Sequence, residues 1–183
     1  MPVFYAIGGP NGSGKTLFMK SFFDHNIAVL RPDDLPVQDP FSLQNTIQNE
    51  LNALAATQLD FAFEHNFHTE SSYRYFDWAK RQGYQTKLIY LAIANVQICL
   101  DRVNERFISG RGHFVDETTI KQRYQDSLFN LKTNLKRIEE VVIIDNTDLS
   151  APRPCLVFKN GIVVTNDNCP QWLLNHFKYQ LLF

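Results

Sequence analysis

Apolar and polar positions alternate along this chain in short runs and long stripes. Val3-Phe4-Tyr5-Ala6-Ile7 is an apolar, β-branched and aromatic run, the pattern of a buried strand, and Thr16-Leu17-Phe18-Met19-Lys20-Ser21-Phe22-Phe23 predicts a helix. Ile27-Ala28-Val29-Leu30 reads as a second short strand, and the prolines of Arg31-Pro32-Asp33-Asp34-Leu35-Pro36 end regular structure after it. A long helix is expected from a Ser42 cap, with Leu43, Ile47, Leu51 and Leu54 on one stripe and an end near Glu64. Phe67-His68-Thr69 then reads as a strand and Tyr73 to Gln82 as a helix. The run from Thr86 to Ile93 is too apolar for a wet face, which predicts a strand in the sheet centre.

Val96, Cys99, Val103 and Phe107 recur at helical spacing up to the loop Ile108-Ser109-Gly110-Arg111-Gly112-His113-Phe114. Asp116 is placed to cap a further helix striped by Ile120, Tyr124, Leu128, Leu131, Leu135 and Ile138, and Val141-Val142-Ile143-Ile144 is another buried strand. This alternation predicts an α/β fold: a central parallel sheet with helices on both faces and site loops at the strand C-terminal ends. In the tail, Asn160-Gly161 joins two β runs as a hairpin and Pro170 opens a last helix through Phe177. Hairpin and helix, 152–183, are expected as an appendage on one domain spanning 1–183.

Composition narrows this picture without redirecting it. A chain of 183 residues buries roughly 70% of its unfolded surface, enough for one core without disulfides. Lys+Arg 18 against Asp+Glu 19 leaves a net charge of -1, which argues against a nucleic-acid or membrane-surface partner. Cys99, Cys155 and Cys169 are odd in number and widely spaced, the usage of reduced thiols. No basic segment followed by an apolar one opens the chain, and no segment reaches the about 18 apolar residues that span a bilayer. A cytoplasmic location is expected.

Candidate chemistry starts at Gly9-Pro10-Asn11-Gly12-Ser13-Gly14-Lys15-Thr16, a complete G-x-x-x-x-G-K-[ST] loop between the first strand and the first helix. Glycines let successive N–H groups approach phosphates at a helix N-terminus. Lys15 is suited to the β- and γ-phosphates of a nucleoside triphosphate, and the Thr16 hydroxyl to a bridging Mg2+ ion. Asp33 and Asp34 follow the second strand, where a carboxylate accepts a proton from an attacking hydroxyl, or simply closes an acidic turn. Glu70 and Ser71 sit where either acceptor recognition or helix capping is served. Arg102, Arg106 and Arg111 lead into a glycine-flanked loop suited to a lid over phosphate, with His113 and Arg123 behind.

Taken together, the phosphate loop, Pro32-Asp33, Thr69-Glu70-Ser71, Arg102-Val103 with Arg106, Gly112-His113, Arg123-Tyr124, Ser127-Leu128 with Asn130-Leu131, and Asp145-Asn146 resemble the zeta toxin family of P-loop kinases, especially its short stand-alone members. That family phosphorylates a hydroxyl of UDP-N-acetylglucosamine with ATP and so poisons cell-wall synthesis. The resemblance implies a small-molecule kinase with a nucleotide-sugar acceptor. Asp33 would be the general base, Glu70 would hold the acceptor beside Ser71 and Arg102, and Arg106 and Arg111 would stabilise the transferred group. Any antitoxin would be a separate polypeptide. Arg31 replaces a usual Asn, and the lid reads Gly-Arg-Gly-His where Gly-Gly-His is commoner. Kinases of other metabolites and a nucleotide-binding regulatory module are the competing readings.

Overall fold

The computed structural model describes residues 1–183 except 24–26, 38, 166–167 and 182–183, so four positions of the 152–183 segment lie outside the described residues. Seven strands build one sheet: β1 (Val3–Gly8), β2 (Ala28–Leu30), β3 (Phe61–Glu64), β4 (Gln85–Ala92), β5 (Glu140–Asp145), β6 (Arg153–Lys159) and β7 (Ile162–Thr165). Their spatial order is β2-β3-β1-β4-β5-β6-β7. The first five run parallel, and β6 and β7 add an antiparallel edge, which makes the sheet mixed. As its unbroken apolar run predicts, β4 is the middle strand, buried from Leu88 to Ala92.

The helices are α1 (Lys15–Phe22), α2 (Pro40–Ala56), α3 (Arg74–Arg81), α4 (Val96–Ile108), α5 (Glu117–Asn134) and α6 (Gln171–Phe177). Phe4, Ala6, Leu88, Tyr90, Val141 and Ile143 face one way and pack on Ile47, Leu51, Phe76, Ala79, Leu131 and Phe177 of α2, α3, α5 and α6. Their chain neighbours Ile7, Ile89, Leu91 and Ile144 face the other way onto Met19 of α1 and Phe23. Helices thus cover both faces, and each fully buried large side chain contributes roughly 1.5–3 kcal/mol of transfer free energy. The hairpin and α6 share this core: β6 pairs with β5, and the Phe158 ring lies 5.7 Å from that of Phe177.

Two expectations are corrected. The second helix starts earlier, capped by Asp39, whose Oδ2 accepts the Ser42 N–H at 2.7 Å, and it stops at Ala56. Gln58 takes a left-handed φ of 55° and turns the chain out. The apolar run Phe61-Ala62-Phe63 fits a buried helix or a buried strand equally by pattern. The strand prevails because it fills the gap between β1 and β2 and hydrogen-bonds to both. Phe67-His68-Thr69 is consequently no strand. It is a connection in which Phe67 is left-handed, φ 50°, followed by a 3-10 turn over Glu70–Tyr73.

Candidate functional site

The phosphate loop closes over the C-terminal end of β1. Gly14 caps α1 with φ 89°, and a Cβ there would lie 2.7 Å from both Asn146 Nδ2 and Leu149 Cδ2, so conformation and space both require glycine. Two polar struts hold the loop from outside. Asn146 Nδ2 donates to the Ser13 carbonyl at 2.6 Å. Arg102, half-buried, donates to the carbonyls of Gly12, Asn146 and Thr147 at 3.3, 3.1 and 2.6 Å. Arg102 therefore braces the loop and its neighbour, with its donors turned to backbone.

Inside the loop, the buried Lys15 ammonium donates to the Gly9 carbonyl, the Pro10 carbonyl and Asn66 Oδ1 at 2.9, 3.1 and 2.7 Å. Burial pulls its pKa down to about 8, against the raising influence of Glu64 and Asp33. The Ser13 hydroxyl is buried without a partner among the described residues. A loop with an orphan hydroxyl, a helix N-terminus and a lysine fits a polyphosphate.

Thr16 Oγ1 lies 3.1 and 3.2 Å from the two carboxylate oxygens of Glu64, at the end of β3. Burial raises the Glu64 pKa, and the charges of Lys15 and hydrogen bonding by Thr16 pull the other way. Hydroxyl and carboxylate oxygens side by side are the donor set a Mg2+ ion takes alongside phosphate oxygens, so these residues fit that ion. Among the described residues, no group of three or more His, Cys, Asp or Glu side chains could hold a metal without such help.

Two cavities meet at Lys15, Thr16 and Glu64. One, of about 380 Å³, runs past Asp33, Arg31, Gln44, His65, Asn66 and Arg123. The other, of about 340 Å³, runs past Gly12, Gly14, Arg102, Arg106, Arg111 and Leu149. Asp33 sits exposed in the 3-10 turn Pro32–Asp34, and the neighbouring Arg31 is drawn to Asp34 instead, Nε to Oδ2 2.6 Å. The cation beside the candidate base is thus neutralised by the second carboxylate. Of the lid arginines, Arg111 is exposed and bonded to Ser109 Oγ at 2.8 Å, and Arg106 Nε is buried with no acceptor among the described residues.

Glu70 stands apart from this cluster. Its carboxylate accepts from Asn134 Nδ2 at 2.7 Å and from Arg137 Nη1 at 2.8 Å, which fastens the 3-10 turn to α5. Ser71 bonds Thr69 Oγ1 at 3.0 Å and borders a further cavity of about 460 Å³, which shares Gln44 and His65 with the Asp33 cavity. Sequence reasoning missed Glu64 and Asn66, because both fell at or beyond the end of the overextended helix. Stopping that helix earlier would have placed Glu64 at the C-terminal end of a strand, the side on which the sites of parallel sheets open.

No known protein-family model matches the chain. A Haemophilus influenzae protein carrying only the description "Uncharacterized protein" is 30% identical over 132 residues, 67% of this chain and 91% of that one. The chain belongs to the family of that protein. Among solved structures, a chain of the PezAT chromosomal toxin-antitoxin system of Streptococcus pneumoniae matches with TM-score 0.60 at 17% identity, over 79% of this chain and 68% of that one. The native AvrRxo1-ORF1:-ORF2 complex matches with TM-score 0.67 at 10% identity, over 98% and 71%. The same complex with ATP matches with TM-score 0.64 at 11% identity, over 90% of this chain and 60% of that one, so this chain spans about three fifths of the latter. At these identities the likeness is one of fold: the chain shares the α/β fold of those PezAT and AvrRxo1-ORF1:-ORF2 chains. In this fold the glycine loop, Glu64, Arg106 and Arg111 border one cavity.

Proposed function

We propose that this protein is an ATP-dependent phosphotransferase that moves the γ-phosphoryl group to a hydroxyl of a small molecule. The observation that carries the proposal is the pair of cavities meeting at Lys15 and Thr16, one bordered by the exposed Asp33 and the other by Arg106 and Arg111. A module that only binds nucleotide needs one such space, and a transferase needs a space for each reactant. A structural neighbour described as holding ATP supports ATP as donor.

In this reading ATP occupies the arginine-lined cavity, its β- and γ-phosphates against the loop N–H groups, Lys15 and Ser13. Mg2+, held by Thr16 with Glu64 beside it, would supply charge neutralisation between the phosphates. The acceptor lies in the other cavity, and Asp33 takes the proton as the acceptor oxygen bonds to the γ-phosphorus and the β–γ bridging oxygen leaves with ADP. Arg106, whose Nε has no acceptor among the described residues, neutralises charge on the transferred group. A nucleotide-sugar such as UDP-N-acetylglucosamine is the favoured acceptor, and a separate antitoxin polypeptide is a proposed partner, a reading supported by the toxin-antitoxin system of one neighbour. The engagement of Glu70 by Asn134 and Arg137 favours a second acceptor reading, another hydroxylated metabolite, because the residue expected to hold the nucleotide-sugar is occupied elsewhere.

The test is incubation with magnesium and ATP labelled on its γ-phosphoryl group, offering UDP-N-acetylglucosamine beside a pool of small metabolites, with Lys15→Ala as control. Label on the nucleotide-sugar, absent with the variant, is the expected result. Label on another compound replaces the acceptor and keeps the reaction, and Lys15-dependent ATP binding with no transfer refutes the transferase.

A further inference from the structure

The lid poses a question that the resemblance to other kinases does not answer: why a glycine stands at 112. The end of α4 shows the first half of the reason. Gly110, left-handed at φ 69°, donates its N–H to the Phe107 carbonyl at 3.0 Å, and the Arg111 N–H donates to the Arg106 carbonyl at 2.9 Å. This paired hydrogen bonding turns the chain back over the last turn of its own helix. Gly112 then lies directly on the Arg106 side chain, where a Cβ would come within 3.0 Å of Arg106 Cγ and Cδ and collide with Nε.

Gly112 itself has no left-handed backbone angle, so a side chain there meets no conformational barrier, only the arginine. By contrast, nothing lies within 4 Å of a Cβ at Gly110, whose requirement is conformational. The two glycines of Gly-Arg-Gly-His therefore do different things: one turns the backbone, the other leaves it bare against Arg106. The consequence is an arginine sandwiched between its helix and the lid backbone, with Nε buried and without a partner among the described residues and the side chain bordering the cavity that contains Lys15.

We propose that Gly112 is a positioning residue, whose bare backbone clamps Arg106 so that its guanidinium is aimed at the phosphoryl group in flight. This rests on the functional reading above and adds which lid arginine is aimed and what aims it. Arg102 is committed to the backbone of the loop, and Arg111 is held in the open by Ser109. A methyl group at 112 pushes the guanidinium out of line while leaving the phosphate loop and Lys15 untouched.

The experiment compares binding of Mg-ADP with that of Mg-ADP plus aluminium fluoride, which mimics the phosphoryl group in transit, in the wild type, Gly112→Ala, Arg106→Ala and the double variant. Thermal melting of each shows that it is folded. Each single variant is expected to lose about 10²-fold in affinity for the mimic, the scale of one transition-state donor, and far less in affinity for Mg-ADP. The double variant is expected to lose no more than Arg106→Ala, since Gly112 acts only through that side chain. Undiminished affinity of Gly112→Ala for the mimic, or losses that add in the double variant, overturns the proposal. A wild type that binds Mg-ADP no better than Lys15→Ala overturns the nucleotide reading itself, and is told apart by that control.

Discussion

Burial works against charge on both sides of the phosphate loop. Lys15 is brought down to about 8 and the Glu64 carboxyl is pushed up, each by more than the other's opposite charge restores. Both groups are hydrogen-bonded but short of compensating charge, which phosphates and a cation would supply, and Glu64 belongs to the magnesium shell in this account. Glu64→Gln should raise the magnesium concentration for half-maximal ATP turnover by about tenfold; an unchanged magnesium titration would remove Glu64 from that shell. His65 gives a second prediction. It stacks between Phe63 and His68, accepts the Phe67 N–H at Nδ1, and burial holds its pKa down at about 3. The unfolded chain then binds a proton that the folded one does not, so stability is held above about pH 6.5 and lost as pH falls towards 3. His65→Gln should flatten that acid limb in chemical denaturation, and an identical limb would assign it to other groups. At this scale, the contiguous run from Gly9 to Thr16 was legible as a glycine loop between β1 and α1 because its pattern lies in neighbouring residues. Glu64 and Asn66 were not, because each touches Lys15 or Thr16 only once β3 lies beside β1.

Elements with strong local signals folded as their patterns imply. Asp116 accepts the Thr119 N–H at 2.9 Å as the cap of α5, and the stripe from Ile120 to Leu131 packs as expected apart from a half-buried Tyr124, but the helix stops at Asn134: Leu135 falls in a 3-10 turn and Ile138 is extended, both still buried. The overextended second helix had no glycine at its end; Gln58 adopts the left-handed angle that glycine usually marks. Pattern alone then ran on into β3, since a strand buried on both faces lacks the alternation that distinguishes it. The 3-10 turn over Glu70–Tyr73 is held by Arg137, which bridges Glu70 at 2.8 Å and also pairs with Asp77. This makes Glu70 an anchor of the turn. Glu70→Ala should destabilise the fold by roughly 1 kcal/mol, an amount kept small by the exposure of the pair, and leave the KM for the acceptor unchanged. A rise in that KM at constant stability would return Glu70 to the acceptor site.

Across the whole molecule, the order β2-β3-β1-β4-β5 places β1 between strands reached by connections that lead to either side. Ligand crevices of parallel sheets open at such a point, beyond the strand C-terminal ends. That placement explains why two cavities share Lys15 and Thr16 yet recruit different elements, the turn at Pro32–Asp34 and α2 on one side, α4 and its lid on the other. The sheet class and its central strand were legible from apolar runs, and the existence of two cavities was not, since it depends on which strands are neighbours. The continuation of the sheet into β6 and β7 was half legible, as a hairpin without its attachment to β5. The central claim is that one cavity holds the donor and the other an acceptor activated by Asp33. The most direct measurement is ATP binding and label transfer for Asp33→Asn beside the wild type. The account predicts unchanged affinity for Mg-ATP with transfer reduced by about 10²–10⁴-fold, the range of a lost general base. Transfer at the wild-type rate, or ATP affinity that falls in step with transfer, would contradict it.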